Sequence, residues 1–255
     1  MSEARHIDAG PQVERIRYEL KRRRLVVARV EPLPPHMMRI VLTGEELRGF
    51  TSAGFDDHVK VFFPSGAMRD FTPRRHDAGA GELWIDFFLH EGGPAAAWAA
   101  QACPGQTLEI GGPKGSAVVK PDGIDTHILI GDETALPAIG RRLEELSTGA
   151  HAIVVIESDP GAGRPDLVSL AASDILWVPR QVPAADPGAA LIDALRSLSV
   201  PAGRSWCWAA AESRAVRAIR RYLCEERGIA KRWIKAAGYW QYGAAGAHDR
   251  VADEE

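Results

Sequence analysis

The heptapeptide Arg69-Asp70-Phe71-Thr72-Pro73-Arg74-Arg75 places cations, an aromatic ring and a hydroxyl at alternating positions. In an extended strand Arg69, Phe71 and Pro73 face one way, and Asp70, Thr72 and Arg74 the other. Such a strand can bracket a flat, phosphorylated ligand. The ring packs against it, the hydroxyl bonds to it, and the arginines fork onto phosphate. The same residues also describe a solvated basic edge strand, so the choice rests on what else the chain carries. A second candidate is His90-Glu91-Gly92-Gly93-Pro94-Ala95-Ala96-Ala97-Trp98-Ala99: a strand end, a glycine turn and a helix start built of small residues. Backbone N–H groups at such a start attract phosphate, and Gly92 and Gly93 lack the Cβ atoms that would hold it away. His90 either contacts the phosphates or serves structure alone, and Trp98 reads as packing. A third candidate is Gly131-Asp132-Glu133-Thr134-Ala135, where Thr134 either caps a helix or accepts a phosphate edge. Glu157, at another strand end, is either a solvated carboxylate or an acid placed to hold a ribose hydroxyl.

The elements that must position these residues divide into two kinds. Strands are expected at Arg22–Val30, Met38–Thr43, His58–Phe63, Leu83–Leu89 and Gly105–Ile110, separated by Pro- and Gly-rich turns with little helix between them. That spacing predicts a small antiparallel Greek-key β-barrel. Residues 1–20 read as a loose or partly helical lead-in. From residue 125 the pattern changes. Short apolar runs at 128–131, 152–156, 175–178 and 205–210 alternate with helical stretches over 135–146, 189–198 and 213–227. In the first helix Leu136, Ile139, Leu143 and Leu146 share one face, and Pro137 sits harmlessly in its first turn. Apolar strands alternating with amphipathic helices predict a doubly wound parallel sheet. The fold class expected is therefore α+β in two domains, residues 1–124 and 125–255.

Composition narrows the function. The chain has 255 residues, 45% hydrophobic and 25% charged, with a net charge of −3. No global basic field points to nucleic acid, and the Arg22-Arg23-Arg24 triplet is not extended by further basic or aromatic residues. No apolar run approaches a bilayer span, and the N-terminal stretch lacks a signal-peptide core. Cys103, Cys207 and Cys224 form no Cys-x-x-Cys pair, which argues against a protein-held metal or iron–sulfur site and for reduced, buried thiols in a cytoplasmic protein. There is no Gly-x-Ser-x-Gly elbow and no metal-ligand histidine spacing, so no catalytic side chain and no metal ligand is assigned. The first strand-to-helix junction also lacks G-x-G-x-x-G. An Arg/aromatic/Thr strand on a barrel, joined to a parallel sheet without its own nucleotide clasp, is what a flavin reductase needs: one half holds the flavin, the other presents a reduced nicotinamide.

Five segments in order resemble the siderophore-interacting proteins, or ferric-siderophore reductases, of the ferredoxin-reductase-like superfamily. They are His58-Val59-Lys60, Arg69–Arg74, Asp86–His90 with Gly93-Pro94-Ala95, Gly131–Ile139, and Gly238-Tyr239-Trp240. The resemblance runs from about residue 29 to residue 243. It implies FAD as cofactor, NADH or NADPH as electron donor, and a ferric siderophore or other ferric chelate as substrate, in a monomer. It implies that Arg69, Phe71, Thr72 and Arg74 line the flavin and its phosphates, and that His90, Gly92, Gly93, Pro94 and Ala95 hold pyrophosphate. Ser116, Asp132, Thr134, Ala135, Tyr239 and Trp240 complete the cofactor set it suggests. Lys60, Arg232 and Lys235 are the cations it implies for an anionic chelate, the last two by neighbourhood alone. The family reads Arg-x-Tyr-Thr-x-Arg where this chain has Phe71, and Gly-Tyr-Trp-Arg where it has Gln241. Rival expectations are a flavin reductase with another acceptor, such as ferredoxin, a quinone or another metal chelate, and a protein that binds flavin or siderophore without turnover.

Overall fold

The computed structural model describes residues 10–34, 36–161, 163–181, 186–244 and the backbone of 249–250. In the N-terminal half, period-two burial shows at once. Along β2 (Arg22–Leu33) Arg23, Leu25 and Val27 point inward, while Arg22, Arg24 and Val26 face out. The inward Arg23 is not left unpaired, since its guanidinium donates to the carbonyls of Glu46 at 3.0 Å and Gly112 at 3.1 Å. With β3 (Met37–Thr43), β4 (Val59–Phe62), β5 (Met68–Phe71), β6 (Arg75–Asp77), β7 (Glu82–Phe88) and β8 (Thr107–Gly111), β2 forms an antiparallel sheet ordered β5-β4-β8-β2-β3-β7-β6. Strands β5 and β6 are the two edges of that sheet, yet only Thr72, Pro73 and Arg74 separate them, a reach of roughly 14 Å at most. The sheet therefore curls to bring its edges near one another, a barrel-like wall around Leu25, Ile40, Leu42, Val61, Leu83, Ile85 and Ile110. A six-residue helix, α1 (Pro94–Ala99), lies between β7 and β8.

Residues 13–17 overturn the expected lead-in. They form β1 (Val13–Arg17), antiparallel to β9 (Gly115–Val119). Its partner lies about a hundred residues along the chain, so no local pattern announces it. The first nine residues lie outside those described.

The C-terminal half is built on strands apolar on both faces. β10 (Thr126–Asp132) is buried at every position and lies between β11 (His151–Ser158) and β13 (Ser205–Glu212). With β12 (Ala172–Pro179) and β14 (Ile234–Trp240) the parallel order is β12-β11-β10-β13-β14, and β15 (Asp249–Arg250) adds an antiparallel edge. α2 (Leu136–Glu145) packs Leu136, Ile139 and Leu143 against Leu129, Val154 and Trp208 on one face. α3 (Ala189–Ser197) and α4 (Ser213–Glu225) cover the other, where Leu191, Leu195, Ile219 and Leu223 meet Ile128, Ile130 and Val155. This is the doubly wound arrangement, and its strand order reverses between β10 and β13, where such sheets bind ligands. Cys207 is buried as expected, but Cys103 is exposed in the turn before β8, so the expectation of three buried thiols fails there.

Candidate functional site

The 69–75 segment is not a single strand. It pairs as β5 up to Phe71, leaves the ladder at Thr72-Pro73-Arg74, and re-enters as β6 at the opposite edge. Pro73 has no N–H to give a ladder, which fits a break there. Strict alternation thus gives way to a corner: Thr72 and Pro73 are buried while Arg69 and Phe71 are half-buried. Phe71 packs on Phe87, ring centroids 4.3 Å apart, and both belong to an aromatic cluster with Phe63 and Trp98. Trp98 is packing, as its sequence context indicates. Arg69 donates to the carbonyl of Met68 at 2.8 Å. Arg74 is differently placed. Its guanidinium pairs with Glu144 of α2 and lies 4.0 Å from Asp86. In this arrangement it ties the barrel to the parallel half.

The glycine turn after β7 matches a phosphate cradle in one respect. Gly93 stands at the N-cap of α1 in extended conformation, and no side chain caps that turn. Gly92 takes φ +81° with open space where a Cβ would stand, a conformation that favours glycine. A Cβ on Gly93 would fall 2.5 Å from the His90 ring. His90 is exposed, with Nδ1 3.0 Å from the Glu91 carbonyl, while Pro94 and Ala95 are half-buried.

Where the two halves meet, the structure joins residues that sequence keeps far apart. Thr72 stands beside the Tyr239 hydroxyl, and burial together with nearby Asp56 pushes that phenol's pKa upward. Tyr239 stands edge-on to Trp208, 6.1 Å between centroids. Trp208 donates through Nε1 to Asp56 at 3.0 Å, and the same carboxylate pairs with Lys235 at 2.6 Å. Asp56 is the residue that sequence reasoning missed. Its proximity to the His58-Val59-Lys60 motif was the available signal, but its partners on β13 and β14 had none. At the adjacent strand end Asp132 accepts from the Thr134 N–H at 2.9 Å and from Trp240 Nε1 at 2.7 Å. Asp132 is thus the cap at the start of the α2 region, with Thr134 two residues inside it.

Other expected members are placed elsewhere. Ala135 is fully buried beneath Gly131, whose Cβ would come 2.5 Å from that of Ala135, so its side chain serves packing. Ser116, on β9, is enclosed by Asp57 at 2.6 Å, Tyr18 at 2.8 Å and the Ala53 N–H at 3.0 Å. Among the expected cations, Lys60 pairs with Asp70, its register partner on β5, at 2.9 Å. Lys235 carries the Asp56 bridge, and Arg232 is exposed with its chain stem against Gly10.

A further cluster lines the carboxyl ends of β10, β11 and β12. Arg180 donates through Nε to Asp159 at 2.8 Å and through Nη1 to Glu157 at 3.2 Å, and pairs through Nη2 with Glu133. Glu133 is 1% exposed. Burial pushes its carboxyl up to about 7, opposed by the Arg180 charge.

Comparison with known proteins accords with this geometry. The family model described as siderophore-interacting protein matches residues 124–243, and the one described as siderophore-interacting FAD-binding domain matches residues 26–67 and 64–117. An NADPH-dependent ferric-chelate reductase of Escherichia coli K12 is 35% identical over 252 residues, covering 89% of this chain and 96% of that protein. A ferric vibriobactin reductase of Vibrio cholerae is 33% identical, covering 82% and 85%. The crystal structure of a siderophore utilization protein from T. fusca superposes with a TM-score of 0.85 at 35% identity, covering 94% of this chain and all of that one.

Proposed function

The chain belongs to the siderophore-interacting proteins, and from that membership we propose that it is an FAD-dependent oxidoreductase that uses NADH or NADPH to reduce ferric siderophores or similar ferric chelates. The observation that carries the reading is the 72–74 corner, where Thr72 stands beside the Tyr239 hydroxyl and the Pro73 carbonyl accepts from Arg141 of α2 at 3.0 Å. This junction brings the Arg69–Arg74 segment of the barrel against the carboxyl ends of the parallel strands. A flat ring held at that corner faces the rim where a doubly wound sheet binds a dinucleotide.

The residues present fit FAD. Phe71 and Thr72 would flank the flavin ring, with Tyr239 and Trp240 across the junction. Arg69 and the uncapped turn of His90, Gly92, Gly93, Pro94 and Ala95 would hold the phosphates. Arg74 reaches a phosphate by exchanging Glu144 for it. Bound FAD supplies the conversion between a two-electron hydride donor and single-electron reduction of iron. The side chains bind and orient, and no residue is needed as an acid or base. Lys60, Lys235 and Arg232 would draw in the anionic chelate. Reduction to Fe(II) weakens a hard-oxygen ligand set, so the metal passes to softer ligands. We place the FAD unit at 1–124 and the dinucleotide unit at 125–255, in a cytoplasmic monomer. Among the described residues no helix is long and apolar enough to cross a membrane.

The test begins with colour. Purified protein is expected to be yellow, and Arg69→Ala and Thr72→Ala to bind FAD more weakly in a fluorescence titration. Under anaerobic conditions NADH or NADPH should bleach the flavin, and a ferric siderophore should restore it. Colourless protein indifferent to added FAD sinks the reading; a flavin bleached but not restored by any ferric chelate sinks the substrate.

A further inference from the structure

The guanidinium of Arg180 stands at the rim where the proposed function puts the dinucleotide, and an arginine there is the natural partner of the 2′-phosphate that distinguishes NADPH from NADH. In this chain that arginine is already committed. Each of its three nitrogens faces a different carboxylate: Asp159 at 2.8 Å, Glu157 at 3.2 Å, and Glu133, which is nine-tenths buried and more. Glu133 is further anchored by the Asp159 N–H at 2.9 Å, so the network is closed on itself. Glu157 and Asp159 against one guanidinium leave a local charge of −1 with Glu133 protonated and −2 with it ionised, and Asp132 is the β10 register partner of Glu157. A phosphate dianion brought there meets the charge of these carboxylates, and each nitrogen of Arg180 already serves one of them. A ribose carrying two hydroxyls meets the opposite: Glu157, at the end of the strand beside β10, and the half-exposed Asp159 are acceptors for its O–H groups. Two further arginines are also engaged: Arg164 lies over the Trp177 ring at 5.7 Å, and Arg214, after β13, lies 3.9 Å from Glu212.

We infer that this network makes the chain selective for NADH over NADPH, with Glu157 and Asp159 receiving the adenosine ribose hydroxyls and Arg180 acting as a positioning residue that holds them. The inference rests on the proposed use of a nicotinamide donor, and it sets the chain apart from the Escherichia coli relative named for NADPH. Because the ribose lies remote from the reacting carbon, the discrimination falls on binding and KM, with kcat for the two donors similar.

The test is calorimetric titration of the FAD-loaded full chain with NAD+ and with NADP+, followed by stopped-flow reduction with NADH and NADPH. NAD+ should bind at least about tenfold more tightly, the scale of one added like-charge contact near a protein surface. Removing negative charge should narrow that ratio by about tenfold. The mild variant is Asp159→Asn, on a half-exposed side chain whose loss does not threaten folding, and the stronger one is Glu157→Gln with Asp159→Asn. Equal or tighter binding of NADP+ by the native chain, through Arg164 or an opened Arg180, overturns the inference while leaving the reductase reading intact. An unchanged ratio in both variants overturns the assignment to these carboxylates. Binding of neither dinucleotide, together with a flavin that neither donor bleaches, overturns the inference and the donor reading with it.

Discussion

The phenyl ring of Phe71, 4.3 Å from Phe87, is held by the barrel's own aromatic cluster. Its para position therefore has a fixed aim, and the family's tyrosine would carry a hydroxyl there. Phe71→Tyr should tighten FAD by about 1 kcal/mol, roughly fivefold in Kd, if that hydroxyl meets the cofactor. Fluorescence titration reads this directly, and an unchanged Kd would show that the position serves the barrel alone. His127 makes a different residue-scale prediction. It is fully buried beside Arg142, and burial holds its imidazole at about 3. Its Nε2 has no hydrogen-bond partner among the described residues. The folded state keeps it neutral where the unfolded chain, titrating at about 6.5, takes a proton. Its contribution is thus complete above about pH 6.5 and is lost as pH falls toward 3, amounting to about 2 kcal/mol by pH 5. Urea unfolding of His127→Gln should show a shallower loss of stability between pH 7 and 5 than the native chain.

At the scale of elements, Asp132 ends β10, caps the turn into α2 and holds Trp240 of β14. Asp132→Ala removes both partners at once and should cost about 1–2 kcal/mol in chemical denaturation, the usual size of a lost cap. The indole of Trp240, released from its acceptor, should report the change as a shift in tryptophan emission. The same junction shows what can be read from sequence. The apolar run of β10, the spaced aliphatic residues of α2 and the inward pair Leu25 and Val27 are legible because burial imposes its period on neighbouring residues. β14 is not: Lys235-Ala236-Ala237-Gly238 has little intrinsic strand preference, and its ladder with β13 supplies the conformation. β1 is illegible for the same reason. In the site, Arg69, Thr72 and Tyr239 were legible as motif members, but their roles depend on distant partners. Arg74 reads as a phosphate fork, but its pairing with Glu144 of α2 has no local mark, and neither have the tryptophan and lysine that Asp56 joins.

At the scale of the molecule, the proposed chemistry requires the two halves to keep one relative position, and α2 supplies much of the connection. Arg141, on its barrel side, donates to the Ser52 carbonyl at 2.7 Å, the Ser52 hydroxyl at 2.9 Å and the Pro73 carbonyl at 3.0 Å. The Arg74–Glu144 pair lies beside it. Phe55, inserted from the barrel loop between Trp206 and Trp208, supplies the apolar part of the joint. These two kinds of contact fail differently. Loss of Arg141 leaves the carbonyls of Ser52 and Pro73 without their donor, a cost of about 2–3 kcal/mol confined to the junction. It leaves each half's own core untouched. Arg141→Ala should therefore split the calorimetric unfolding of the native chain into two transitions. Because Pro73 follows Thr72 directly, the same variant should loosen the 72–74 corner and weaken FAD even though Arg141 is no part of the proposed flavin set. A single transition with unaltered FAD affinity would mean that Phe55 and its two tryptophans hold the halves together unaided, and the next substitution to make would then be Phe55→Ala.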